Sequence, residues 1–121
     1  MYEHNPYEPK GRRLPWMDFG EVRKTVQALL DEGRVEVLWN HILGEGHRVS
    51  GDEVRAALAN GAYELHETVD GRYIATYVPR HAPLGIVAVF ELRESCGILE
   101  VFVLTAFPAE SRRARGPLRR R

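Results

Sequence analysis

The hydrophobic repeat of this sequence changes after Gly61 from about 3.6 residues to about 2 residues, and this change constrains the fold more than any other feature. Before Gly61, apolar residues recur at the spacing of amphipathic helices. After it, short apolar or alternating runs are bounded by turn residues, which is typical of strands. The sequence therefore predicts an α+β domain with N-terminal helices packed on a curved antiparallel sheet of three to five strands.

Two segments before Gly61 carry the start and stop signals of helices. The first runs through FGEVRKTVQALLDE, with Asp18 as its cap and Gly33 as its stop. In the second, Ser50 and Glu53 form a Ser-x-x-Glu capping box ahead of VRAALANG. Between them, VEVLW at 35–39 suits a short strand, but a helix continuing through WNHIL fits the same apolar positions.

The remaining chain reads as strands joined by short turns. The Asp70-Gly71 pair is a strong hairpin signal. A loop is expected at 79–83 and a turn at 94–97, and Pro108 is expected to end the last strand. The predicted strands cover 62–68, 72–78, 84–92 and 98–107.

Length and composition define the class of protein. A chain of 121 residues is long enough for one core. We expect an irregular arm at 1–16, a single domain at 17–110 and a tail at 111–121. The start has no apolar segment typical of a secretory signal, no apolar run has the length of a membrane helix, and Cys96 is the single cysteine. These features predict a cytoplasmic location.

The formal net charge of zero conceals an uneven distribution. The tail, SRRARGPLRRR, holds six arginines and no acid, whereas the first 110 residues carry 11 basic and 17 acidic side chains, a net charge of −6. A short basic segment can contact the phosphates of a nucleic acid. The alternative is a solvated terminus that contacts nothing specific.

Histidines and arginines are the residues that suggest chemistry. The sequence has no glycine-rich phosphate loop, HExxH motif, GxSxG motif or paired-cysteine spacing. Metal-free RNA cleavage needs a base for the 2′-hydroxyl, an acid for the leaving oxygen and a cation for the phosphorane. His41 and His47 before the capped helix, and Arg80 beside His81, suit that reaction, although each also has an ordinary structural explanation.

The stretch from Trp39 to Glu110 resembles the small bacterial RNase toxins of the RelE/BrnT superfamily, in the barnase–EndoU–colicin–RelE group. WNHILGEGHRVSGDEVRAAL is similar to the BrnT-type order of a tryptophan-bearing strand, a short helix, a Lys-His-Gly-Val-Ser-like turn and a second helix. The hairpin GRYIATY and the closing VLTAFPAESRRAR are also similar. Arg48 stands where that turn usually has glycine, and the first 33 residues lie outside the match.

The resemblance implies a metal-independent endoribonuclease without cofactors, whose partners are RNA and a cognate antitoxin protein. His47 matches the turn histidine and is the first candidate acid or base, with His41 second. Arg72 and Arg80 are expected to stabilise phosphate. The expected RNA contacts are Tyr73, Tyr77, Thr105, Arg112 and Arg113. For the two tyrosines, which share a strand face, packing under a helix is the alternative to stacking on a base.

Two other functions stay open at this point. A non-enzymatic module of the same fold would bind protein or nucleic acid, and its long strands would also allow a homodimer. A small-molecule-binding domain would show an enclosed apolar pocket. The endoribonuclease hypothesis predicts that His41, His47, Arg72 or Arg80 and the region of Arg112 converge on one sheet face. The binding module predicts a continuous patch without convergent titratable groups.

Overall fold

The computed structural model describes residues 11–46, 48–80 and 84–110, and these form an α+β fold with three helices and a six-stranded, mostly antiparallel open sheet. The helices are α1 (Phe19–Asp31), α2 (Trp39–Gly44) and α3 (Gly51–Asn60). The strands are β1 (Arg12–Arg13), β2 (Val35–Val37), β3 (Ala62–Leu65), β4 (Arg72–Tyr77), β5 (Leu84–Ser95) and β6 (Ile98–Glu110). The sheet order is β2-β6-β5-β4-β3, and β1 pairs with β5 just beyond the first residue of β4.

Both predicted helices are confirmed, together with their caps. Asp18 accepts hydrogen bonds from the backbone N–H groups of Gly20 and Glu21 at 3.1 and 3.3 Å. The capping box of α3 is complete, since Ser50 Oγ accepts from the Glu53 N–H at 3.1 Å and Glu53 Oε1 accepts from the Ser50 N–H at 2.8 Å. These side chains satisfy amide groups that have no partner within the first helical turn.

The segment that suited either a strand or a helix contains both. β2 ends at Val37, and α2 begins at Trp39. β2 pairs parallel to β6, whereas the sequence predicts antiparallel neighbours only. The antiparallel run β3-β4-β5-β6 leaves one side of β6 open, and β2 pairs along that side.

The β5–β6 hairpin is longer than the sequence predicts. The two strands reach to a tight turn at Cys96 and Gly97, whose φ angles of 54° and 79° are both in the left-handed region. The expectation that Pro108 ends β6 is wrong, because the strand continues to Glu110. β2 pairs with β6 only at 101–103, so no described strand pairs with the outer side of β6 at Pro108. The N–H group that proline lacks is therefore not needed for a ladder hydrogen bond on that side.

Alternation along the strands divides the sheet into two faces. One face packs against all three helices and contributes Tyr73, Ala75, Ala88 and Phe90 to a single core. We call the other face the open face, because no described helix packs on it. It carries Arg72, Glu91 and Phe102. Glu91 of β5 lies opposite Arg72 of β4 on one side and opposite Phe102 of β6 on the other.

No helix within the described ranges is long and apolar enough to cross a membrane.

Candidate functional site

Glu91 is the one fully buried charged residue among those the structure describes. It lies on β5, on the open face, between Arg72 of β4 and Phe102 of β6. A buried carboxylate is costly unless it is paired and hydrogen-bonded. Its partners therefore define the most highly constrained polar site of the described fold.

Three guanidinium groups surround this carboxylate, and we call the four residues the arginine cluster. Arg72 Nε donates to Glu91 Oε2 at 2.7 Å, and Arg93 Nη1 donates to Oε1 at 2.7 Å. Arg13 Nη1 lies 3.6 Å from Oε2. The side chains of Arg13, Arg72, Arg93 and Glu91 are 36%, 27%, 14% and 0% exposed. The negative charge is thus inside, and the arginines reach the surface.

The charges of the cluster do not cancel, since three guanidinium groups against one carboxylate leave two net positive charges. Arg72 uses its Nε towards Glu91, and its two terminal nitrogens have no hydrogen-bond partner in the described part of the chain. On the β6 side of the cluster, Glu100 lies across the β5–β6 ladder from Arg93. The terminal nitrogens of Arg72 are therefore the N–H groups of the cluster that are available to an anion.

The segment that precedes α1 holds Arg13 in place. β1 aligns Arg13 with Arg93, and Arg13 Nε donates to the carbonyl of Asp70 at 2.9 Å. Trp16 Nε1 donates to the carbonyl of Arg72 at 2.9 Å, so this segment is tied to the residues on both sides of Gly71, where the β3–β4 turn leads into β4. Gly71, with a φ of 89°, allows the close approach, because a Cβ there would collide with the carbonyl oxygen of Leu14.

His66 is next to this cluster, but its protonation is restricted. Its Nδ1 accepts from the backbone N–H groups of Thr68 and Val69 at 3.3 and 3.2 Å, which places the proton of the neutral ring on Nε2. Burial lowers the pKa of His66 below its ordinary value, and the charge of Arg72 lowers it further. The ring is therefore neutral near pH 7 with one nitrogen occupied, which does not suit a group that gains and loses a proton in each catalytic cycle.

The structure does not gather the predicted catalytic residues that it describes. His41 lies on α2, on the helix side of the sheet, with its Nε2 3.3 Å from Glu45 Oε2. Arg72 lies on the open face, in the arginine cluster, at the first residue of β4. Arg80 is exposed beyond the opposite end of that strand. His47 lies outside the described residues.

The predicted RNA contacts are also distributed over different surfaces. Tyr73 and Tyr77 share a strand face as predicted, but it is the helix face: Tyr73 is buried, and its hydroxyl accepts from the Met17 N–H at 2.8 Å. A buried ring is not available to stack on a base, because it packs against Phe90 at a centroid distance of 5.3 Å. The hydroxyl of Thr105 is buried without a hydrogen-bond partner, so it does not face a phosphate in solvent. Arg112 and Arg113 lie outside the described residues.

Tyr77, in contrast, borders an apolar groove of about 530 Å³ at the end of β4. Arg48 and Pro79 line the same groove, together with residues of β5 and β6. The fold thus brings the turn before α3 and the start of the loop after β4 to one end of the domain. Tyr77 is the one predicted site residue among the described residues that line this groove, and the carboxylates of Asp52 and Glu53 lie there with it.

Sequence reasoning missed Glu91, Arg93 and Arg13 as site residues. A signal was present, because LGIVAVFEL places a carboxylate in an otherwise apolar strand. Such a residue on a strand with two neighbours must have charged partners. Which arginines supply them depends on the cross-strand register and on β1, neither of which has a reliable local signature.

Searches for similar proteins found no matching family model, no matching curated protein and no matching solved structure. Within the described ranges, no group of three or more His, Cys, Asp or Glu side chains is arranged to hold a metal ion.

Proposed function

We propose that this chain is an RNA-binding domain of the RelE/BrnT type, which holds a phosphate of the RNA backbone at the arginine cluster. The observation that carries the proposal is the set of three arginines fixed around the buried Glu91 on a sheet face that no described helix covers. Hydrogen bonds to Glu91 Oε1 and Oε2 fix two of these arginines before any ligand arrives.

Guanidinium groups suit phosphate because their planar N–H donors match two of its oxygens. Ordering the long side chains before binding reduces the entropy that binding must overcome. Arg72 and Arg13 offer N–H groups on the same side of Glu91, in a cluster whose net charge is +2. RNA is favoured over other polyanions by the resemblance of the segment from Trp39 to Glu110 to RNA-directed toxins.

The test measures binding of a short single-stranded RNA to the full-length chain by fluorescence anisotropy over a range of salt concentrations. Arg13→Gln is the main variant, because this side chain is the most exposed of the three and its removal leaves both short bonds to Glu91 intact. Arg55→Gln is the matched control, since it removes the same charge from an exposed position on α3, on the other side of the sheet.

We expect Arg13→Gln to weaken RNA binding and to reduce the slope of log K against log salt by about 0.7, the value for one lost phosphate contact on a single strand. Arg55→Gln should leave the slope unchanged. Equal effects of the two substitutions would mean that only overall charge matters, and the proposal would then be wrong.

A metal-independent endoribonuclease is the second candidate function, and its chemistry is assigned to the groove where Arg48 and Tyr77 lie with the carboxylates of Asp52 and Glu53. In such an enzyme the cluster would bind substrate and that end of the domain would carry the chemistry. Cleavage of total and ribosome-bound RNA in EDTA, compared with His47→Ala and His41→Ala, tests this. EDTA-resistant cleavage lost in either variant supports the enzyme; no cleavage by folded protein leaves RNA binding alone.

A further inference from the structure

A groove of about 410 Å³ runs between β2 and α3, away from the arginine cluster. Its apolar walls come from α1, α2, α3 and β2, and include Leu30, Trp39, Val54 and Leu58. Glu36, Asp52 and Arg55 also line it, so its charged residues have a net charge of −1.

The backbone of β2 borders this groove with hydrogen-bonding groups that no described strand uses. The carbonyl of Arg34 accepts from Val101, and the N–H of Leu38 donates to Val103, both at 3.1 Å, so alternate residues of β2 face β6. The intervening Val35 and Val37 then direct their N–H and C=O groups to the outer side. No described strand pairs there, since β2 is the last strand of the sheet on that side.

A groove with apolar and charged residues beside a strand edge that no described strand pairs with is an arrangement in which an extended peptide can add to a sheet. The backbone supplies the hydrogen bonds, and the groove accepts one apolar side chain. The net charge of the groove residues favours a basic peptide, as does the net charge of −6 on the first 110 residues. The chain contains such a peptide in residues 111–121, where Leu118 is followed directly by three arginines.

The length of this tail argues against docking within one molecule. Glu110 lies seven residues beyond Val103, which is the partner of Val37. A strand added at the outer edge of β2 would lie two strand spacings from β6. The straight distance from Glu110 back to a position beside Val37 is therefore about 25 Å. Leu118, eight residues beyond Glu110, reaches about 28 Å when fully extended. That leaves no length for the reversal of direction or for the path around α2, which starts directly after β2.

We infer that the outer edge of β2 binds the tail of a second copy of this chain as an added strand. Leu118 enters the groove, and the following arginines lie near Glu36 and Asp52. Two copies that exchange tails in this way form a symmetric dimer. The surface is distinct from the arginine cluster, so this inference and the proposed RNA binding succeed or fail independently.

Amide hydrogen exchange of the full-length chain without RNA, measured by NMR at several protein concentrations, tests the inference. The N–H groups of Val35 and Val37 should become at least about tenfold more protected as the concentration rises, in step with dimer formation seen by sedimentation. Leu118→Asp should abolish both effects. Ala114→Asp is the matched control, because it introduces the same charge about 13 Å along an extended tail, and it should abolish neither.

Three results would overturn the inference. Rapid exchange of both amides at every concentration would show that nothing pairs with this edge. Protection that does not depend on concentration but is lost in Leu118→Asp would place the tail of the same molecule there. A dimer in which Val35 and Val37 stay unprotected would use another surface.

Discussion

Replacement of Glu91 by glutamine should destabilise the fold strongly, although the two side chains have the same shape. Glu91 is fully buried and accepts two hydrogen bonds of 2.7 Å, from Arg72 and Arg93. The substitution removes the negative charge and leaves three guanidinium groups close together. The fold would then have to hold three like charges around a neutral amide.

The size of this effect follows from the contacts. A hydrogen bond to a charged group contributes about 1.5–3 kcal/mol. The amide oxygen of glutamine can still accept from one arginine, whereas its NH₂ group opposes the other. Removing one partner of a buried ion pair typically costs about 3–5 kcal/mol. We therefore expect Glu91→Gln to lower the free energy of unfolding by about 3 kcal/mol, the lower end of that range, because the arginines can turn towards solvent.

Urea denaturation followed by circular dichroism measures this loss. With a slope m of about 1.5–2 kcal/mol/M, the midpoint should fall by about 1.5–2 M. Glu94→Gln is the matched control, because it makes the same change on the same strand in an exposed pair, where Arg12 Nη2 lies 2.5 Å from Glu94 Oε1. Exposed pairs contribute about 1 kcal/mol or less. A loss below about 1 kcal/mol in Glu91→Gln, or one equal to that in the control, would refute the claim that the cluster is structurally constrained.

Three further predictions address local features. Ser50→Ala removes half of the capping box with Glu53 and should lower the free energy of unfolding by about 1 kcal/mol, measured by urea denaturation. Burial raises the pKa of Tyr63 to about 12, and its hydroxyl donates to the carbonyl of Leu58 at 2.6 Å, so alkaline titration at the phenolate absorbance should lose its latest-titrating tyrosine in Tyr63→Phe. The folded-state pKa of His66 is lowered from 6.5. As the pH falls through 6.5 the unfolded chain therefore binds more protons than the folded chain, and the free energy of unfolding should decrease as the pH falls. In His66→Ala the melting temperature should depend less on pH between about 7.5 and 5.5; an unchanged dependence would contradict the assignment.

Local signals in the sequence were sufficient for the two capped helices and for the reversal between β3 and β4. The Ser50–Glu53 box and the Asp70-Gly71 pair act within a few residues, so their effects do not depend on the rest of the fold. The segment around Val35 and Trp39 was ambiguous because three strand residues lead almost directly into a helix of 6 residues. Neither element is long enough to show its own period.

The candidate site could not be predicted from the same signals. Arg13 and Arg93 are 80 positions apart and meet through the pairing of β1 with β5, which depends on tertiary packing. Tyr73 and Tyr77 share a face as their spacing predicts, but alternation alone does not reveal which face the helices cover. His41 and Arg72 are on opposite sides of the sheet, because His41 is on a helix of the covered face and Arg72 is on the open face.

If RNA contacts the arginine cluster as we propose, the side chains of the cluster must respond when RNA binds. The most direct measurement follows the side-chain Nε–H signals of Arg13, Arg72 and Arg55 by NMR during a titration of the full-length chain with single-stranded RNA. We expect the signals of Arg13 and Arg72 to shift and to saturate together with binding, while that of Arg55 on α3 stays in place. RNA binding that leaves the signals of Arg13 and Arg72 unchanged would contradict it.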